Sequence, residues 1–332
     1  MSQAYFWDSY YGATPLTDAL FSVRYLMMRG NVCDWYSPVQ SSGDITLYEN
    51  PDALSLAYAA SGNADVTLTA DPFANLEALL KSAIPYDGSC WADVSDLEMH
   101  SSDTLQTKQN NELIFEKNGS SPTVSYTFRT TEAGPVYAYF AAPSASSCII
   151  SVNESIRGVH FTNETRKTVY LGRFDAGENV EVRFAMKGST LTIADVFIQT
   201  LRESLLREQL QRLSSRQLSI ESYSARHVSG TVIAEEDGFL FTSIPDDDGW
   251  SVRVDGVLTE TFSVADTLLA VPITKGAHSV EFFYKPKGMT VGMIITAVTL
   301  LTFPVLFFCS LQRKRKKYNL LKKMEAGNEA DT

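Results

Sequence analysis

The stretch "SIPDDDGWSVRVDGV", Ser243 to Val257, decides how this chain of 332 residues is read. If Asp246, Asp247 and Asp248 are ligands or catalytic acids, the chain carries an active site. If they form a turn, the stretch is a strand–turn–strand unit of a β module. Pro245 before the acidic run and Gly249 after it give the composition of a loop. Calcium takes carboxylates in loops, but an EF-hand needs ligands at alternate positions, a glycine at a fixed place and a distant glutamate, and none of these is present. "WSVRV" then alternates as a strand, and Asp255-Gly256 is a two-residue hairpin signal. The stretch therefore reads as structural, with the Trp250 ring as packing rather than a sugar platform. Trp250, Val252, Val254, Phe282 and Tyr284 are expected to build the core of this module, and Asp255 with Gly256 to set its hairpin.

Working outward, "GFLFTSIP", "VLTETFSV", "TLLAVPI" and "HSVEFFY" supply further strand candidates and extend the module over residues 219–287. Residues 121–200 have the same texture of short alternating runs, among them "TVSYTFRT", "PVYAYFAA" and "NVEVRFAM", as in a β-sandwich. The two regions echo each other. "CIISVNESIRG" followed by "FDAGENVEVRFAMKG" resembles "WSVRVDGVLTE" followed by "ITKGAHSVEFFYKPKG", with a hairpin, a later glycine and a closing Val-Glu strand. Between them, residues 201–218 place Leu201, Leu205, Leu206, Leu210 and Leu213 at helical spacing. Residues 1–120 are a mixed α/β segment in which Asp71 and Pro72 mark the start of a helix carrying Phe73, Leu76, Leu79 and Leu80 on one face. The expected fold is mainly β with α: two β-sandwich-like modules joined by an amphipathic helix and followed by one C-terminal transmembrane helix.

That last helix is "GMTVGMIITAVTLLTFPVLFFCSL", residues 288–311, uncharged over the roughly 20 positions a helix needs to cross a bilayer. Pro304 is tolerable there. Residues 312–332 form a basic tail in which Arg313, Lys314, Arg315, Lys316 and Lys317 follow the span directly, as expected of a cytoplasmic flank. Of 28 basic residues 7 lie in this tail against only 3 of 39 acidic ones, so the body is more acidic than the formal charge of −11. An acidic body argues against nucleic acid as a partner. The charge rule puts the bulk of the chain outside the cytoplasm, in a cell membrane, with lipid as a partner. The start, "MSQAYFWDSYYGATPLTDALF", lacks the basic and apolar regions of a signal peptide. An upstream transmembrane region is therefore expected as a partner, and Phe6, Trp7, Tyr10 and Tyr11 would form an exposed apolar patch without one.

No zinc, P-loop, dinucleotide or serine-hydrolase motif occurs, so no catalytic, metal or cofactor residue is assigned. His100, His160, His227 and His278 sit in unrelated segments, and Glu235 with Glu236 reads as a solvated pair. Cys33, Cys90 and Cys148 could form one disulfide or none. The N-x-S/T sequons at Asn118, Asn153 and Asn163 read as chance in a Ser- and Asn-rich β chain.

Six separated stretches, "TDALFSVRYL", "LYENPDALSLAY", "DPFANLEALLKS", "SIPDDDGWSVRVDGV", "KGAHSVEFFYKPKG" and the span beginning "TVGMII", together resemble the C-terminal part of the bacterial YfhO family of polytopic membrane proteins. The resemblance covers nearly the whole chain. It implies a large membrane protein similar to lipid-linked-sugar glycosyltransferases of the GT-C type, some relatives being linked to glycosylation of cell-wall polymers such as lipoteichoic acid. Possible partners are then a cell-wall glycan or a lipid-linked sugar. The catalytic acids of such enzymes lie near their first spans, so none is carried over here, and an accessory or acceptor-docking role is what the resemblance implies for this portion. The family's "PYDKGW" type of turn is "PDDDGW" here, which argues again that the aspartates are a turn. The alternative from another class is a stand-alone, single-pass anchored module that binds carbohydrate or protein.

Overall fold

Alternation of apolar and polar residues pairs into antiparallel sheets throughout the body. The computed structural model describes residues 14–29, 32–110, 112–143, 147–161 and 165–328. The Phe6, Trp7, Tyr10 and Tyr11 cluster and the Asn163 sequon lie outside the described residues. Among the described residues the chain is mostly β, with six sheets, a smaller share of helix and one C-terminal apolar helix.

The first module packs two sheets face to face. One has the order Arg166–Phe174, Gly134–Ala141, Asp195–Leu201, Trp91–Asp93; the other runs Ser155–His160, Cys148–Val152, Asn179–Met186, Thr123–Arg129, Ser95–Ser102. Val182 sits in register with Val152 on one side and Tyr126 on the other, so the inward faces match across three strands. Phe140 meets Phe184 edge-on at 4.7 Å between the sheets. Burying a side chain of that size contributes about 1.5–3 kcal/mol. A small sheet of Thr190–Ile193, Glu112–Lys117 and Thr104–Gln109 adds Phe115 and Leu191 to the same core. The strands before Ser121 that join this module belong to the span read from sequence as the mixed segment 1–120.

The second module repeats the plan. Its five-stranded sheet has the order Ser219–Ser224, His227–Ala234, Gly276–Tyr284, Trp250–Val254, Val257–Thr259. Read from the hairpin inward, both five-stranded sheets consist of a return strand, the hairpin strand, the closing strand and two earlier strands. The facing sheet is Phe262–Val264, Leu268–Ile273, Gly238–Pro245, Ala57–Ala60. In the first module Asp195–Leu201, the second strand after the closing one, lies next to Gly134–Ala141. In the second module the chain continues from its closing strand into the apolar helix, and the equivalent slot beside Gly238–Pro245 is filled by Ala57–Ala60 from the N-terminal segment.

This four-stranded sheet is covered on both faces, which is why its strands read as continuous apolar runs rather than alternating ones. Leu240 pairs with Val271 on one face, while Phe241 pairs with Ala270 on the other and stacks on Tyr58 at 5.2 Å. The helices cover the Phe241 face. In Pro72–Ala83, the Asp71 carboxylate accepts from the Phe73 amide at 2.8 Å, the cap that its sequence predicts. Glu203–Ser214 inserts Leu206, Leu210 and Leu213 into the same cluster as Trp35, Phe73 and Trp91. The amphipathic helix between the modules is thus part of their common core.

The chain divides into two compact units, residues 1–246 with 252–282, and residues 247–251 with 283–332. The second unit contains the helix Met289–Asn328, whose segment Met289–Lys317 is long and apolar enough to cross a membrane. The hydroxyls of Thr296, Thr299 and Thr302 donate to carbonyls one turn back, at 2.8–2.9 Å, which satisfies them within the helix itself. The helix does not stop at Leu311 but runs through the exposed basic residues Arg313–Lys317, because that run consists of good helix formers without a breaker.

Candidate functional site

The acidic turn is held by a side-chain contact within itself and another to the segment before the apolar helix. The Asp247 carboxylate accepts from the Gly249 amide at 2.7 Å, and the Asp247 carbonyl accepts from the Trp250 amide at 3.0 Å. Asp248 forms an ion pair with Lys287. Two of the three carboxylates are thereby committed to a turn amide and a lysine, an arrangement suited to shaping the loop. Gly249 is required by close approach: a Cβ on it would fall 2.7 Å from the Tyr284 ring and 2.9 Å from the Lys285 carbonyl.

The seven residues singled out around this turn are divided by the structure. Val252 and Phe282 are fully buried, and Val254 is half-buried. Trp250 and Tyr284 are half-buried and pack on each other, ring centroids 4.8 Å apart. Asp255 and Gly256 form the tip of the hairpin, both with positive φ, 52° and 77°. The Asp255 carboxylate accepts from the Ser279 amide at 2.9 Å and faces Nδ1 of His278 at 2.8 Å. The His278 side chain, followed by that amide, holds the Asp255 carboxyl below its ordinary value.

Two polar clusters were not legible from sequence. In the first, Cys33, Asp34 and Glu203 bring a thiol and two carboxylates close enough to share an ion. Arg173 already occupies that role, forking onto Asp34 at 2.7 and 2.9 Å and reaching Glu203 at 2.7 Å. The guanidinium holds the Asp34 carboxyl low, and burial pushes the Cys33 thiol up, which keeps it protonated and a poor metal ligand. This is an ion-pair hub tying the loop at Asp34 to the sheet and to the amphipathic helix.

In the second, Glu77 is buried and accepts from the Tyr86 hydroxyl at 2.6 Å and the Cys90 amide at 2.9 Å, with Lys81 at 3.4 Å. Burial pushes the Cys90 thiol up to about 12. A carboxylate consumed by three donors beside a protonated thiol offers no activated nucleophile, so the cluster braces the loop between the helix and Trp91. A cleft of about 380 Å³ opens beside it, lined by Phe73, Lys81, Ser89, Asp93 and Gln199. None of the four cysteines is in a disulfide; Cys33, Cys90 and Cys148 are buried in the cores and Cys309 is exposed on the apolar helix. The only sequence signals that could have suggested either cluster are isolated charges in apolar runs, which do not reveal their partners.

Among the described residues, a β-rich body followed by an apolar, basic-flanked helix is the arrangement of a membrane protein with a large folded domain. Within that class the chain belongs to the family described as bacterial membrane protein YfhO, whose family model matches residues 7–296. No curated protein matches it. Among solved structures, a Paenibacillus xanthan lyase is similar at 12% identity and TM-score 0.26, covering 59% of this chain and 27% of its own. Latent PorU from Porphyromonas gingivalis matches at 12% identity and TM-score 0.19 over 74% of this chain and 26% of its own. A conserved Pseudomonas aeruginosa protein of unknown function matches at 10% identity and TM-score 0.17, over 57% of this chain and 93% of its own. The chain thus spans about a quarter of the length of the lyase and of PorU, and scores this low carry no argument.

Proposed function

We propose that this chain is the extracytoplasmic, C-terminal region of a polytopic membrane protein resembling lipid-linked-sugar glycosyltransferases of cell-envelope polymers, in which the β modules dock the acceptor rather than perform the chemistry. The observation that carries the reading is the sequence of elements at the C-terminal end: an acidic β body, the apolar helix, and the exposed basic run Arg313–Lys317 immediately after it. Lys and Arg next to a span favour the cytoplasmic side, which leaves the body on the other. The family match supports the membrane setting.

Placement is tested by cysteine labelling in intact bacteria, in a Cys309→Ser background. Tyr223, exposed on an edge strand, and Lys316, in the basic run, are replaced one at a time by cysteine. An impermeant maleimide should label the Tyr223 position in intact cells and the Lys316 position only after permeabilisation; the opposite pattern would overturn the orientation. Docking is tested with the full chain in nanodiscs, which should be retained on isolated cell-wall polymer and released by soluble fragments of it. No retention would remove the acceptor role.

A further inference from the structure

We propose that the turn Asp247–Ser251 and the segment Phe283–Lys287 form a collar that sits in the lipid headgroup layer, with the Trp250–Tyr284 ring pair as its anchor. The partner is the bilayer interface itself. The argument begins with how the two pieces hold each other. The Gly249 carbonyl accepts from the Lys285 amide at 2.9 Å, the Trp250 ring packs on Tyr284 at 4.8 Å, and Asp248 pairs with Lys287. Gly249 lets the turn approach so closely that no Cβ would fit against Tyr284 and the Lys285 carbonyl. These contacts gather the turn into the same compact unit as the apolar helix.

Distance along the chain then fixes where the collar lies. Helix Met289–Asn328 begins five residues after Tyr284, a reach of at most about 17 Å even when fully extended. The path is shorter than that, because the Pro286 carbonyl accepts from the Met289 amide at 3.2 Å and turns the chain just before the helix. The headgroup layer on each side of the hydrocarbon core is roughly 5–8 Å deep. Tyr284, Lys285 and Lys287 are thus confined to the neighbourhood of that layer wherever the apolar segment crosses.

Chemistry completes the fit. Trp and Tyr have an apolar body and a polar tip, the combination enriched at membrane–water interfaces. Both rings are only half-buried, so part of each remains available to lipid. Lys285 is exposed beside them and suits a lipid phosphate, while pairing with Lys287 offsets the charge of Asp248, which would otherwise repel anionic lipid. The inference holds for either orientation of the helix and is therefore independent of the function proposed above.

The test is quenching of tryptophan fluorescence by brominated lipids, using the full chain in vesicles and its Trp250→Phe variant, which keeps an aromatic ring against Tyr284. The chain has 4 tryptophans, so the difference between the two proteins isolates Trp250. Lipids brominated close to the headgroup should quench a larger fraction of the wild-type emission than of the variant emission, and lipids brominated near the acyl-chain ends should reduce that difference at least twofold. An equal quenched fraction in both proteins would place Trp250 in water and overturn the proposal. A difference that grows with the deeper label would place the ring in the hydrocarbon core and overturn it as well.

Discussion

Asn153 and Asp255 occupy the same structural place in the two modules. Each opens the tight turn of its hairpin in the left-handed conformation, φ 44° and 52°. Each exchanges a pair of hydrogen bonds with the closing strand: Asn153 donates its amide to the Glu181 carbonyl at 3.0 Å and its side-chain oxygen accepts from the Glu181 amide at 2.8 Å. Asp255 does the same with Ser279, at 2.8 and 2.9 Å. Asn and Asp tolerate this conformation and bond locally, which is why these two residue types recur there. The Asn153 side chain thus has a structural role in this turn.

The second turn position differs, and the difference predicts a stability change. Glu154 has φ 70° where the other module has Gly256 at 77°. A side chain in this region costs about 1–2 kcal/mol, partly offset by the entropy a glycine loses on folding. Glu154→Gly should therefore stabilise the folded chain by about 0.5–1 kcal/mol, and Gly256→Ala should destabilise it by about 1 kcal/mol. A Cβ at Gly256 would meet nothing within 4 Å, so its cost is conformational alone. Urea unfolding of the chain in detergent checks both; a destabilised Glu154→Gly would refute the equivalence of the turns.

Asp255 also differs from Asn153 in carrying a charge beside His278, whose other ring nitrogen lies 3.0 Å from the Thr274 carbonyl. Its folded-state pKa is depressed, so the carboxylate contributes stability above the unfolded value near 3.9 and loses it as pH falls through the folded value. Asp255→Asn retains the turn conformation and the Ser279 bond, as Asn153 does in its own module. The variant should melt below the wild type at pH 7, and the gap should close as pH drops below about 4. Melting curves across that range decide it; a gap independent of pH would mean the charge contributes nothing.

Around the acidic turn the order of effects is fixed by what each residue touches. Asp247→Ala removes one amide acceptor, about 1 kcal/mol. Trp250→Ala removes a half-buried ring and should cost about 2 kcal/mol, below the usual range for a fully buried one. Gly249→Ala forces a Cβ onto a ring and a backbone carbonyl and should cost about 1–3 kcal/mol. Denaturation in detergent should rank Asp247→Ala as the mildest of the three. If it proves the most damaging, the carboxylate has a role beyond the turn.

What was legible in the sequence follows from how local each signal is. The Asp71 cap and Pro72 announce their helix, the uncharged run announces the apolar one, and the Asp255-Gly256 turn marks its hairpin, because each rests on neighbours in the chain. The strands Ser95–Ser102 and Thr104–Gln109 are mostly exposed and carry too few apolar residues to alternate visibly. The Arg173 hub and the Glu77 brace depend on partners far apart in sequence, and no local pattern encodes them.

Among the described residues, the strand pairing between segments farthest apart in sequence makes the sharpest prediction. Ala57–Ala60, four buried residues from the N-terminal segment, fills the sheet position that the second module cannot supply after its own closing strand. The contact is tight at Gly238, where a Cβ would fall 2.1 Å from the Ala60 carbonyl, a backbone atom with nowhere to move. Gly238→Ala should therefore displace this strand rather than merely strain a side chain, at a cost of about 3 kcal/mol or more. Hydrogen exchange on the full chain separates the two outcomes: amides of residues 57–60 should lose protection while those of the first module's closing strand, Asn179–Met186, keep theirs. Unchanged protection at residues 57–60 would mean that the borrowed strand is not held by this approach, and a uniform loss across both modules would mean that it supports their common core rather than one sheet.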